Sequence, residues 1–159
     1  MKIKNSKGFT IIELLVVVAI IAVLAAIVLV NVTQYINQGK NAAIKGNMTT
    51  ILTNAAVYYD TNNHYGGFSA SSGYTAPAAA ADSANGASPA AVFGCDKAAC
   101  AFTDAPTRWC SCITLLTTST DSGQFCVDSS GYKGATATVC TGVGGRCTIG
   151  TAATDGKCN

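Results

Sequence analysis

From Leu14 to Val30 the chain runs for 17 residues without a polar side chain, LLVVVAIIAVLAAIVLV. A helix of that length covers about 26 Å. With Phe9, Ile11 and Ile12 ahead of it, the stretch approaches the roughly 20 residues that span a bilayer. β-branched residues are common in it, but a lone segment in lipid must satisfy its own backbone, so a helix is predicted. After Val30 the pattern turns amphipathic. Apolar residues recur at Val32, Ile36, Ile44, Met48, Ile51, Leu52 and Ala55, mostly in steps of three and four. Asn31, Gln34, Asn37, Gln38, Lys40, Asn41, Lys45 and Asn47 fill the other sides. The turn-forming run Asp60-Thr61-Asn62-Asn63 marks the predicted end. A helix over 9–61 would reach about 80 Å. Gly39 and Gly46 each weaken it by roughly 1 kcal/mol relative to Ala and mark candidate bends or close approaches.

The rest reads differently. Residues 69–91 are dominated by Ala, Ser and Gly and are interrupted by Pro77 and Pro89. They are expected to form a variable surface loop with room for a short alanine-rich helix at 78–85. Their hydroxyls are candidate acceptors for O-linked sugar. In residues 92–159, CITLLTT, GQFCV and ATATVC are separated by Gly and Asp, as in a small antiparallel sheet with short turns. That sheet is expected to cover the amphipathic face of the helix, giving an α+β head over 62–159.

Charge sharpens the picture. Charged residues make up 11% of the chain, against about 25% in an ordinary soluble domain. The formal net charge of +2 excludes a polybasic nucleic-acid binder and an acidic tail. Lys2, Lys4 and Lys7 precede the apolar run and no further cation follows until Lys40. That asymmetry places the N-terminus in the cytoplasm and everything after Val30 outside. A cleaved secretory signal would need a small-residue site after the apolar run, and residues 31–38 (NVTQYINQ) offer none. Glu13 is the informative residue. An acid at the centre of a membrane helix costs roughly 2.5–3.5 kcal/mol, less near its end, and neither a signal peptide nor a plain anchor needs one.

The segment KGFTIIELLVVVAIIAVLAAI, Lys7 to Ile27, resembles the type IV pilin and pseudopilin family. That family's leader is short and basic and ends in Gly, followed by Phe, Thr, two aliphatic residues, Glu and a long apolar helix. Gly8, Phe9, Thr10, Ile11, Ile12 and Glu13 match in order and spacing. The resemblance implies a pilin fold with a leader of residues 1–8. It implies cleavage between Gly8 and Phe9 by a prepilin peptidase, N-methylation of Phe9, and an assembly role for Glu13. It further implies a homo-oligomeric filament built on an inner-membrane assembly platform, with residues 9–30 in the membrane before assembly and in the filament core afterwards. Where many members carry a proline and an earlier glycine, this chain has Val30 and Ala22. The mature chain would hold seven basic and eight acidic residues, and a nearly neutral subunit packs without strong self-repulsion. A pilus subunit for adhesion, motility or DNA uptake is the leading reading. A piston-like secretion pseudopilin and a monomeric membrane-tethered binding protein are the alternatives.

All eight cysteines, Cys95, Cys100, Cys110, Cys112, Cys126, Cys140, Cys147 and Cys158, fall between 95 and 159, a density of about 12% that marks a disulfide scaffold. Their even number and exported setting predict disulfides with no free thiol. Sequence alone leaves the pairing open. Cys110 and Cys112 would face one side of a strand and cannot readily bridge each other. Cys95 with Cys100, and Cys147 with Cys158, are plausible local loops. The spacings suit no zinc site, Asp121, Asp128 and Asp155 form no calcium loop, and no cofactor is expected. The lone His64 reads as a solvated turn residue, and no catalytic set forms around it. Tyr35, Tyr58 and Tyr59 read as packing residues rather than a conducting stack.

Overall fold

The structure, a computed structural model, describes residues 8–86, 90–95, 100, 102–136, 140–143, 146–149 and 152–153. Of these, the side chains of Val30 and of residues 140 onward are not described. The chain divides into two compact units, Met1–Ile36 and Asn37–Asn159. A single helix, α1 (Ile11–Asn62), contributes to both. It passes through Gly39 and Gly46 without a break, and a Cβ at either glycine would meet nothing within 4 Å. Neither is therefore a point of close approach within the chain.

In the first unit the apolar side chains of α1, among them Leu15, Ile20, Leu24 and Leu29, stand exposed. The helix is long and apolar enough to cross a membrane. The second unit begins where α1 acquires a buried stripe. Asn41, Ile44, Met48, Ile51 and Ala55 are all buried, at the three- and four-residue steps of one helix face. Val32 and Ile36, which continue the apolar pattern in sequence, are exposed and belong to the first unit.

The stripe packs against a four-stranded antiparallel meander of β1 (Val92–Cys95), β2 (Trp109–Thr114), β3 (Gln124–Asp128) and β4 (Lys133–Thr136). A second sheet is formed by β5 (Cys140–Val143), β6 (Arg146–Ile149) and β7 (Ala152–Ala153). The first strand expected from the pattern, 112–118, lies earlier, because the chain leaves the ladder after Thr114 to form a turn toward α1. Strand alternation sorts the side chains. Trp109, Ile113, Phe125 and Val127 join the core on the helix side, while Cys110, Cys112 and Cys126 form a separate buried cluster with Tyr132. This long helix on a small disulfide-bonded antiparallel sheet is the pilin fold.

The loop expected over 69–91 is instead largely helical. α2 (Ser72–Asn85) follows a 3-10 turn at Phe68–Ala70 and buries Tyr74, Pro77, Ala78, Ala81 and Asn85. Composition misled because its alanines and serines lack bulk; helical spacing still puts one face into the core. The Tyr74 hydroxyl donates to Ser111 Oγ at 3.2 Å, whose own proton goes to the Val92 carbonyl at 2.9 Å. Burial pushes the Tyr74 hydroxyl's pKa up, partly offset by that hydrogen bond. Pro77, read from the sequence as a breaker, sits inside the helix. Its missing N–H leaves the Gly73 carbonyl without an intrahelical partner. That carbonyl accepts from Asn54 Nδ2 of α1 at 2.8 Å. The helices meet closely there, and a Cβ on Gly73 would lie 3.3 Å from Asn54 Cβ.

Alongside its disulfides the head has an aromatic core. Phe68 lies 5.2 Å from Tyr58, 5.7 Å from Trp109 and 5.9 Å from Tyr74, and Trp109 stacks on Phe93 at 6.0 Å. His64 is half-buried rather than solvated. Its ring meets Phe102 edge-on at 4.5 Å and its Nδ1 accepts the Gly66 N–H at 3.0 Å.

At the first buried turn of α1, Asn41 pairs with the backbone of the β2–β3 turn. Its Nδ2 donates to the Leu116 carbonyl at 2.7 Å and its Oδ1 accepts the Leu116 N–H at 2.9 Å. Beside it, Lys45 Nζ meets Asp121 Oδ1 at 2.5 Å. The Lys45 hydrogen bond chiefly, with help from Asn41 and against a smaller effect of burial, lowers the Asp121 pKa.

Asn54→Ala is expected to destabilise the head by about 1–2 kcal/mol. In a Pro77→Ala background the penalty should shrink, because residue 77 then supplies its own N–H to Gly73. Urea unfolding followed by fluorescence of the single tryptophan, Trp109, measures both. Equal penalties in the two backgrounds would refute the compensation.

Because the Asp121 carboxyl is more acidic folded than unfolded, the Lys45–Asp121 pair stabilises above the unfolded pKa. That contribution is lost as pH falls through the folded one. Asp121→Asn should therefore lower thermal stability at neutral pH by less than about 1 kcal/mol, the difference closing below about pH 4. A thermal midpoint difference that persists unchanged in acid would contradict this.

Candidate functional site

Gly8, Phe9 and Thr10 precede α1 and are exposed. Nothing lies within 4 Å of where a Gly8 Cβ would be. The first turn of the helix carries one acid, Glu13. Its carboxylate is not free in solvent. Glu13 Oε2 accepts the Thr10 backbone N–H at 2.9 Å and the Thr10 hydroxyl at 2.9 Å. The Glu13 N–H in turn donates to Thr10 Oγ1 at 3.3 Å. Thr10 is thus the N-cap of α1, and Thr10-Ile11-Ile12-Glu13 is a capping box. Two donors that a helix start leaves orphaned are satisfied reciprocally. The negative carboxylate also complements the positive end of the helix dipole.

This arrangement explains how an acid is tolerated ahead of an apolar run. The carboxylate's hydration is replaced in part by two hydrogen bonds from its own chain, all acting on Oε2. Among the described residues both hydrogen bonds fall on Oε2 and the side chain is exposed, so Oε1 is left open to a further partner. The chemistry available is that of a locally anchored anion that can pair with a cation presented alongside the helix. Glu13 lies four residues after Phe9, one helical turn away. Thr10 went unassigned in the sequence reading, although a Ser or Thr three residues before Glu at the head of an apolar run is the legible sign of such a box.

The cysteines lie elsewhere, in the head. Cys95 is bonded to Cys100 and Cys112 to Cys126. The second pair faces directly across β2 and β3, with Cα atoms 4.2 Å apart, near the roughly 4.5 Å of a non-hydrogen-bonded antiparallel pair. Cys110 is disulfide-bonded as well. Cys140 and Cys147 sit in β5 and β6, and Cys158 lies outside the described residues, as do the leader residues 1–7 and the expected Cys147–Cys158 loop. Among the described residues no group of three or more His, Cys, Asp or Glu side chains is placed to hold a metal ion.

The prokaryotic N-terminal methylation motif matches residues 3–29. The chain is 33% identical over 70 residues to the type IV major pilin protein PilA of Myxococcus xanthus, covering 44% of this chain and 32% of that one. It is 36% identical over 62 residues to the type IV wide pilus major component PilA4 of Thermus thermophilus, covering 39% of this chain and 47% of that one. The chain thus spans a third to a half of the length of these relatives. No solved structure matches it significantly. The matched motif and the names of both relatives point the same way, to the components of type IV pili.

Removing the cap hydroxyl should loosen the helix start. Thr10→Ala is expected to cost about 1 kcal/mol there, so amide exchange at Ile11–Glu13 should quicken about fivefold while Thr10→Ser stays near wild type. Exchange measured by NMR on the protein in micelles tests this, and unchanged rates in Thr10→Ala would rule the cap out.

Proposed function

We propose that this chain is a structural subunit of a type IV pilus. It is made as a precursor in the cytoplasmic membrane, with residues 1–8 as a leader, its N-terminus in the cytoplasm and its head exported. A prepilin peptidase cleaves between Gly8 and Phe9, and Phe9 is N-methylated. An inner-membrane assembly platform then polymerises the subunits through the apolar half of α1. The single observation that carries this reading is Glu13, an anchored carboxylate one turn after Phe9 at the head of an exposed apolar helix.

The physical logic is as follows. Cleavage exposes a cationic α-amine on Phe9, whose ordinary pKa is near 7.7–8. Within one chain the capping box already occupies Glu13 Oε2, which leaves Oε1 for an amine brought alongside by another subunit. In a low-dielectric bundle two opposite charges attract strongly, and an unpaired one is costly. The pair therefore selects the axial register in which amine and carboxylate meet. The exposed aliphatic side chains of residues 11–29 then exchange lipid contacts for contacts with other helices. Both relatives are named as pilus components, which favours a pilus over a secretion pseudopilus. Adhesion, twitching motility and DNA uptake are the activities such a filament would serve.

Glu13→Val should leave membrane insertion and cleavage intact and reduce surface filaments at least tenfold. Intact mass spectrometry of the processed chain and electron microscopy of sheared surface material read the two effects. Filaments at wild-type level in Glu13→Val, or a mature chain that does not begin at Phe9, would overturn the proposal.

A further inference from the structure

Just past the end of α1 the turn 63–67 meets Cys100 and the segment 102–106. Backbone bonds stitch them together. The Tyr65 N–H donates to the Pro106 carbonyl at 2.7 Å and the Gly67 N–H to the Cys100 carbonyl at 3.2 Å. Gly66 stands between these stitches. The Tyr58 hydroxyl donates to its carbonyl at 2.6 Å, and His64 Nδ1 accepts its N–H at 3.0 Å. The His64 ring also meets Phe102 edge-on at 4.5 Å. An N–H can donate to Nδ1 only while that nitrogen keeps its lone pair, so this contact requires the neutral imidazole with its proton on Nε2.

The backbone on both sides of this junction is strained. Among the described residues the non-glycine residues with positive φ are Asn63 at 59°, Cys100 at 51° and Ala105 at 43°. All lie in the two stitched segments. Asn tolerates the left-handed region, but Cys and Ala ordinarily avoid it. Such conformations persist only where surrounding contacts hold them, and they gather at elements that switch. Protonation of the imidazole removes one of those contacts. A proton on Nδ1 turns the acceptor into a donor facing the Gly66 N–H, and a rotated ring presents Nε2–H, also a donor. The cation has attractions elsewhere. α1 ends at Asn62, and its last carbonyls form the negative end of the helix dipole. Asp60 in the last turn of α1 and Asp104 at the end of the 3-10 turn that carries Phe102 are the acids of the elements packed here, and both are exposed. Arg108, two residues after Pro106, is the cation nearest in sequence, and Tyr58, Tyr59 and Tyr65 supply the phenols. Carboxylates ordinarily titrate near pH 4 and phenols near pH 10, whereas an imidazole titrates near pH 6.5. The chain has one histidine, so between pH 7.5 and 5 it is the imidazole of the head that changes charge.

We propose that His64 is an acid-released latch: neutral, it closes the turn 63–67 on the segment 102–106, and protonated, it lets the two part and frees the strained backbone that carries Phe102. Every residue involved belongs to the head, so the latch does not depend on the filament reading. The test uses the full chain in phosphocholine micelles. NMR follows the His64 ring through its titration and measures amide-exchange protection factors at pH 7.5 and 5. The informative amides are those of Tyr65 and Gly67, which bond to the far segment and not to the imidazole. Their protection should fall about tenfold in acid, the effect of losing one anchoring hydrogen bond, while amides of the β2–β3 ladder keep theirs. His64→Asn puts an acceptor, Oδ1, at the branch point where Nδ1 stood, and should hold the junction closed at both pH values. His64→Lys supplies a cation with no acceptor and should leave Tyr65 and Gly67 weakly protected at both. Constant protection in the wild type while the ring titrates would overturn the proposal. So would a fall that persists in His64→Asn, which would assign the effect to Asp60 or Asp104. An equal loss across the β2–β3 ladder would also overturn it, since the whole head would then be loosening.

Discussion

The head is organised by the buried face of α1. Ile44, Met48, Ile51 and Ala55 lie on one helix face and are wholly or almost wholly buried. A small sheet of short strands has little apolar surface of its own to close over, and the helix supplies the missing wall. Against that wall the head assembles aromatic bulk: Phe68 from the turn after α1, Tyr74 from α2, Phe93 from β1 and Trp109 from β2. These rings come from segments far apart in sequence, so the core forms only once the chain has returned to α1 several times. The Cys112–Cys126 bridge sits on the opposite side of the sheet from that core, under Tyr132. It ties two strands that already pair, adding to a packed core rather than substituting for one.

Polar side chains of the same helix do a second job. Asn41 takes both backbone groups of Leu116, Asn54 takes the Gly73 carbonyl, and the Tyr58 hydroxyl donates to the Gly66 carbonyl at 2.6 Å. Each of these backbone groups lies outside regular strand pairing or, at Gly73, has lost its helical partner to a proline. Buried backbone must be paired, and where ladders end α1 provides the partner. This lets the head keep turns and a proline-containing helix against its core. It also explains why a buried asparagine, costly if unpaired, stands at the first buried position of the helix.

At its other end α1 solves a different polar problem with the same economy. An acid near an apolar run carries a desolvation cost, and the Thr10 capping box offsets part of it by satisfying the carboxylate and the helix start together. The relatives match over less than half of this chain, and the methylation motif itself covers residues 3–29. The capping box thus lies inside the stretch that the motif matches.

Sequence by itself determined the apolar run, its continuation as an amphipathic helix, the motif around Gly8, Phe9 and Glu13, and the presence of a cysteine-rich sheet. These follow from local periodicity, charge placement and spacing, which need no knowledge of distant neighbours. The capping box was legible too, since Thr10 and Glu13 stand three apart. The sequence left room for a short helix at 78–85; only the tertiary structure decided that it starts at Ser72, runs through Pro77 and buries one face. Pro77 is compatible with α2 because Asn54, 23 residues earlier, replaces the hydrogen bond it removes. Only the structure placed Val32 and Ile36 outside the core while burying Ile44 and Met48, since the helical pattern is the same on both sides of the boundary. The pairing of Cys112 with Cys126 likewise required the register of β2 on β3. A polar or half-polar residue has several environments open to it, and which one it occupies depends on partners brought from elsewhere in the chain.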